Sequence, residues 1–293
     1  MDFHGTFIAI TTPFNEHENL ALDQLQHNMQ RWLAEPIEGM VVTGTTGEAV
    51  YLSMDERVEL WKTAGSILKS AGKRFIAGAA AESTRATIEM VHRAEESGAE
   101  AVLVLTPSYF KPGADALIAH YRSIAYAASI PLLMYNYPGF TGVEISSSAV
   151  LKLAEHPNIL GIKDSSANLS KLGTILAHRP DFQVLTGLAS GLFSFLSLGG
   201  VGGIFALGNI IPGLIGRLYR AFQSGNLLEA QRLQLKLAPL SEALEVRLGI
   251  PGIKYAMDQL GLFGGDPRKP LAPASPAVRE EVDALLYHLF KTE

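Results

Sequence analysis

A lysine at the end of an apolar strand is the residue in this chain that folding alone explains least. In Ile159 to Ser166, ILGIKDSS, Lys163 stands where an apolar run gives way to polar residues. Buried parallel strands stay apolar along their length, and a lysine is almost never fully buried without a partner or a task. Its own segment leaves two readings open. Either the strand ends at Ile162 and the lysine is solvated, or the amine is held inside the fold as a nucleophile. The second reading needs a neutral amine, and with an ordinary pKa near 10.4 only about one lysine in 10³ is neutral at pH 7. An apolar interior can lower that pKa by about 3, at a cost of about 4 kcal/mol of ammonium stability. The bond such an amine makes is an imine to a carbonyl carbon. Forming it takes a proton carrier, because the carbinolamine must lose water. Tyr135, in PLLMYNYP at the end of the preceding apolar run, is placed for that role, although a tyrosine packed in a rim with its hydroxyl satisfied would read the same. Gly44-Thr45-Thr46-Gly47-Glu48 offers backbone N–H groups and two hydroxyls to a carboxylate. It lacks the lysine of a phosphate loop and does not match a dinucleotide fingerprint.

These residues have to be brought together by the elements around them. Short apolar runs begin near Phe7, Gly39, Phe75, Ala101, Pro131, Ile159, Phe182 and Gly202, and amphipathic stretches separate them. Eight strands, each followed by a helix within about 200 to 225 residues, predict an α/β fold, the (β/α)8 TIM barrel, closed by right-handed crossovers. Helix signals set the phase. Ser53-Met54-Asp55-Glu56 has capping-box form, Ser83 opens a helix that runs through Glu96 to Gly98, Ser146 or Ser147 precedes Ala149 to Ala154, and Pro212 suits a first helical turn. Each strand then ends in polar or turn residues, TGTTGE, TPSYFKP, YNYPGFTG, KDSS and TG, and chemistry on such a barrel sits at that face. After about Ser224 the alternation stops. Helices are expected over Asn226 to Leu248, from a turn at Gly249-Ile250-Pro251-Gly252 to about Leu260, and from Ala277 to Leu289. The expected organisation is a catalytic barrel over residues 1–224 with a helical extension over 225–293 packed on it.

Composition narrows the partners. At 293 residues and 47% hydrophobic content, the chain can bury a large core. A net charge of −5 without a basic run argues against nucleic acid or an anionic membrane surface and for a small molecule. No cysteine is present, which removes disulfides, thiolate nucleophiles, Fe–S clusters and thiolate zinc sites, and makes the cytoplasm the expected compartment. Met1 to Ile10 lacks a basic start and a long apolar core, and no apolar run reaches the ~18 residues of a membrane span. The eight histidines are scattered without metal-ligand spacing, so no metal and no cofactor is expected.

With these pieces assembled, the chain resembles the pyruvate-dependent class I aldolase superfamily of dihydrodipicolinate synthase and N-acetylneuraminate lyase. The resemblance runs from GTFIAITTPF through GTTGE, TPSYFKP, YNYP and GIKDSS to GIPGIKYAMDQLGLFGGDPRKPL. It implies that Lys163 forms an imine with pyruvate, that Tyr135 relays its protons, and that Thr45 and Thr46 hold the pyruvate carboxylate. It further implies that Tyr109 reaches a neighbouring copy's site and joins the catalytic Thr-Tyr proton relay with Thr46, that Gly187 and Ile204 line the pocket, and that two or four copies associate. Dihydrodipicolinate synthases carry an arginine after the YNxP motif for the carboxylate of aspartate semialdehyde, and that position is Phe140 here. An aromatic ring cannot anchor a carboxylate as a guanidinium fork does. AESTRATIEM, EHPNILGIKDS, DFQVLTG and the GIPG to PL segment resemble the 4-hydroxy-2-oxoglutarate aldolase branch, in which Ser165 contacts substrate, while the Thr-Thr pair departs from the Ser-Asn of that branch's mammalian enzymes. The expected reaction is therefore reversible cleavage of a 4-hydroxy-2-oxo acid to pyruvate and an aldehyde such as glyoxylate. Alternatives are 4-hydroxy-tetrahydrodipicolinate synthesis, cleavage or dehydration of a 2-oxo-3-deoxy sugar acid, and a barrel that senses a 2-oxo acid without turning it over.

Overall fold

A computed structural model describes residues 2–291. The apolar runs become β1 (Gly5–Ala9), β2 (Gly39–Val42), β3 (Arg74–Gly78), β4 (Ala101–Leu105), β5 (Leu132–Asn136), β6 (Ile159–Asp164), β7 (Gln183–Thr186) and β8 (Gly202–Phe205), each within two residues of its expected start. Every pairing is parallel, and β1 closes on β8 with Phe7 opposite Ile204, so the sheet has no free edge.

Alternation along each strand divides the core in two. Ile8, Met40, Val42, Met134, Ile162, Val184 and Phe205 point outward into the layer shared with the helices. Phe7, Ala9, Val41, Ile76, Leu133, Tyr135, Leu185 and Ile204 point inward and fill the barrel. Strands buried on both faces stay largely apolar, which is why these segments read as near-continuous runs instead of alternating ones. Each Val, Leu or Ile so buried contributes about 1.5–3 kcal/mol. Because Ile162 faces outward, the period of two turns Lys163 inward.

The helix signals act as expected at several ends. Ser53 and Glu56 complete a reciprocal capping box, with Ser53 N–H donating to Glu56 Oε2 at 2.8 Å and Glu56 N–H to Ser53 Oγ at 3.2 Å. Ser83 caps Thr84–Glu96, Ser146 caps Ser147–Leu153, and Pro212 opens Pro212–Gln223.

Beyond the barrel lie helices Leu227–Ser241, Gly249–Gln259 and Pro276–Lys291. Two local expectations fail there. The stretch Asn226 to Leu248 is not one regular helix, because Glu242–Arg247 winds as a π-helix after Pro239 has removed a backbone donor. The expected turn at residues 249–252 lies inside Gly249–Gln259. Gly249 adopts φ +59°, and Pro251 occupies the first helical turn, where backbone N–H groups have no helical acceptor to lose. Residues 1, 292 and 293, which fall in the two expected units, lie outside the described residues. Among the described residues no helix is long and apolar enough to cross a membrane.

Candidate active site

The register between β5 and β6 sets Tyr135 directly opposite Lys163. Both face the barrel interior near its carboxyl end. Lys163 is 5% and Tyr135 4% exposed, and the Lys163 Nζ stands 4.3 Å from the centre of the Tyr135 ring. The solvated reading of Lys163 is thereby removed. Above the pair opens a cavity of about 270 Å³, bordered by Thr45, Thr46, Ser165, Gly187 and Phe140 as well as the amine and the phenol. A second hollow of about 470 Å³ shares Thr45, Tyr135 and Phe140 with it.

Two other lysines are buried, which their helical and loop segments had not suggested. Lys171 pairs with Asp164 at 2.8 Å and Glu144 at 2.7 Å, and Lys254 pairs with Glu48 at 2.6 Å. Among the described residues no carboxylate lies within ion-pair distance of Lys163. The amine that faces the cavity is the one not committed to an anion.

The loops that carry the hydroxyls are fixed from behind. Thr43 and Glu48 flank the Gly-Thr-Thr-Gly turn at φ +59° and +55°, a left-handed backbone uncommon for such residues. Trp61 Nε1 donates to Thr43 Oγ1 at 2.7 Å, and Thr12 Oγ1 donates to the Gly47 carbonyl at 2.7 Å. Glu48 receives the Arg268 amide at 2.8 Å besides its ion pair, while Lys254 Nζ also donates to the Thr12 carbonyl at 2.9 Å. Burial pushes the Lys254 pKa down against the pull of Glu48. At the tips of β5 and β6, Asn136 Nδ2 donates to Asp164 Oδ2 at 3.0 Å, and the Ser165 amide donates to the Asn136 carbonyl at 2.9 Å. The backbone on either side of Tyr135 and Lys163 is therefore braced by Asn136 and Asp164, which do not border the cavity.

Not every expected residue joins the site. Ile204 is fully buried in the barrel core and does not border the cavity. Tyr109 is 79% exposed on the loop after β4, packed edge-on against Phe110, with its amide and that of Ser108 donating to Glu82. It does not border the cavity of its own chain. Phe140 is 64% exposed and lies at the cavity's edge, 4.4 Å ring to ring from Tyr137.

Two polar residues that border the cavity were missed. Tyr137 lies in the quoted YNYP motif but on no strand, and burial, with the charges of Tyr135 and Glu245, pushes its phenol up to about 12. Glu245 is a buried carboxyl on the π-wound turn of the C-terminal extension. Its only signal in sequence is an acidic residue within an apolar helical stripe. Burial pushes its pKa up, opposed by the Leu207 amide, the Ser241 hydroxyl, the Ala189 amide and the Lys163 ammonium.

Chemically, an uncommitted amine beside a phenol, with two threonine hydroxyls across a small cavity, suits capture of a carbonyl compound that also bears a carboxylate. Among the described residues no group of three His, Cys, Asp or Glu side chains is placed to hold a metal ion.

Comparison with known proteins agrees with this geometry. The model of the Dihydrodipicolinate synthetase family matches residues 2–289. The 4-hydroxy-tetrahydrodipicolinate synthase of Methanococcoides burtonii is 38% identical over 275 residues, covering 93% of this chain and 94% of that one. The enzyme of the same name from Acidiphilium cryptum is 37% identical over 287 residues, 97% of either chain. A crystal structure of the chloride-inhibited dihydrodipicolinate synthase of Acinetobacter baumannii, complexed with pyruvate, superposes with a TM-score of 0.95 at 31% identity over 99% of both chains. These relatives bear the synthase name and not that of the 4-hydroxy-2-oxoglutarate aldolase branch, which corrects the closer of the two likenesses read from sequence. The chain belongs to the dihydrodipicolinate synthetase family and is a lysine Schiff-base enzyme of the class I aldolase type.

Proposed function

We propose that this chain captures pyruvate as an imine on Lys163 and uses the derived enamine to make or break a carbon–carbon bond with an aldehyde. The observation that carries the proposal is the uncommitted Lys163 amine, buried 4.3 Å from the Tyr135 ring in a cavity that Thr45 and Thr46 also border. The neutral amine attacks the ketone carbon, and the carbinolamine loses its oxygen as water while Tyr135 moves the protons. The protonated imine then draws electrons from the methyl carbon, which loses a proton to give the enamine. Thr45 and Thr46 hold the carboxylate, and Ser165 contacts the bound acid. Tyr109 serves a neighbouring copy's site in an oligomer, a reading supported by its exposure beside the exposed Phe110.

For the acceptor, the name shared by the relatives supports aspartate semialdehyde and 4-hydroxy-tetrahydrodipicolinate synthesis. The 4-hydroxy-2-oxoglutarate reading has no such support, and its glyoxylate also brings a carboxylate that needs a cation. One observation favours a second reading. Among the described residues no arginine borders the Lys163 cavity, and Phe140 and Glu245 do, which suits the uncharged hydroxylated chain of a 2-oxo-3-deoxy sugar acid. The test compares kcat/KM for condensation of pyruvate with aspartate semialdehyde against kcat/KM for cleavage of 2-oxo-3-deoxygluconate. At least tenfold in favour of condensation selects the synthase; the reverse selects the sugar acid.

Gly187 supplies a further expectation. A Cβ there would overlap the Ser165 hydroxyl and stand 2.8 Å from Lys163 Cε, so Gly187→Ala must displace the nucleophile's stem. A displacement of about 1 Å at reacting atoms costs on the order of 10²-fold. The rate of pyruvate adduct formation in Gly187→Ala, followed by borohydride trapping and mass spectrometry, should fall by about that factor.

A further inference from the structure

Glu245 borders the reaction cavity, is only 8% exposed, and has no part in the imine chemistry. It sits on the π-wound turn Glu242–Arg247, a rare winding that is frequent at functional sites. Its Oε2 accepts the Ala189 amide at 2.9 Å and the Ser241 hydroxyl at 2.6 Å, and its Oε1 accepts the Leu207 amide at 2.9 Å. Those amides belong to the loops after β7 and β8, so the carboxyl is fixed by three donors from three segments. A carboxylate has about four lone-pair sites. Three are filled, and the fourth, on Oε1, is the one left for the cavity. The carboxylate is the form that accepts: protonated, the group would carry its proton on Oε1, because Oε2 already receives two hydrogen bonds, and would donate into the cavity instead. The wall beyond the amine is otherwise largely apolar, formed by Leu188, Leu248, Ile250, Leu271 and Phe140. A polar substituent on the acceptor aldehyde therefore meets Glu245 or the neutral phenol of Tyr137.

We propose that Glu245 selects the acceptor, receiving a hydrogen-bond donor carried by the aldehyde, either a hydroxyl or an ammonium group, and disfavouring an aldehyde whose only polar substituent is a carboxylate. This rests on pyruvate capture by Lys163 and names the acceptor chemistry of that same site.

The experiment measures kcat/KM for condensation of pyruvate with glyceraldehyde, aspartate semialdehyde, propionaldehyde and succinate semialdehyde in the wild type, Glu245→Gln and Glu245→Leu. Borohydride trapping of pyruvate on Lys163 is recorded for each protein. With adduct formation intact, the two donor-bearing aldehydes should lose about 10- to 100-fold in the variants, the range of one hydrogen bond to a charged group, while propionaldehyde changes by less than about threefold. Loss for glyceraldehyde alone or aspartate semialdehyde alone supports the proposal and names the donor. Equal loss for all four aldehydes in a variant that still forms the adduct overturns it, reducing Glu245 to a clamp on two loops. If Glu245→Leu does not fold, Glu245→Gln decides between these outcomes. A wild type that forms no pyruvate adduct overturns the imine reading itself and this inference with it.

Discussion

Lys163→Ala should abolish the borohydride-stable pyruvate adduct and lower kcat/KM by about 10⁴-fold or more, the scale on which removing a covalent nucleophile is felt. The size of the effect follows from the absence of a substitute. Lys171 and Lys254, the other buried lysines among the described residues, are each held at 2.6–2.8 Å from a carboxylate, and neither borders the Lys163 cavity. The fold should survive, because the closure of β1 on β8 and both core layers are built without this side chain. The checks are mass spectrometry of the trapped peptide, steady-state kinetics and a thermal melt. An adduct that persists in a folded Lys163→Ala protein would place the imine on another residue and overturn the assignment of the nucleophile.

Lys254→Met should produce the largest loss of stability. Glu48 and Lys254 are both about 1% exposed or less, and Glu48 Oε1 has Lys254 as its ion-pair partner at 2.6 Å. Removing one member of a buried pair leaves an uncompensated charge, a change that costs about 3–5 kcal/mol. For a domain of this size that corresponds to a fall in Tm of roughly 5–8 °C. Adding Glu48→Gln to Lys254→Met removes the stranded charge and should restore part of the loss, which a double-mutant cycle would measure. The kinetics should respond as well, because Glu48 ends the turn that carries Thr45 and Thr46, and a looser turn raises the pyruvate KM. A Lys254→Met melt within about 2 °C of the wild type would show that the pair contributes little.

Much of this organisation was legible in the chain. Continuous apolar runs at regular spacing located all eight strands because a parallel strand buried on both faces stays apolar along most of its length. The same rule made Lys163 conspicuous, since among the described residues no other strand carries a lysine. Capping signals at Ser53, Ser83 and Ser146 were readable because they act over three residues. The π-turn at residues 242–247 was not, because its Glu245 is tied to loops about 40 residues distant or more, at Ala189 and Leu207.

What the sequence determined by itself was the class of fold and the placing of Lys163 and Tyr135 at the ends of successive strands, because each rests on local periodicity. What only the tertiary structure decided was which charges are buried together and which remain free. Lys171 and Lys254 look like ordinary helix lysines until Asp164, Glu144 and Glu48 are brought to them, and Glu245 looks like part of a packing stripe until the barrel is placed beneath it. A buried charge is defined by its neighbours in space, and in this chain those neighbours come from segments 7 to more than 200 residues apart.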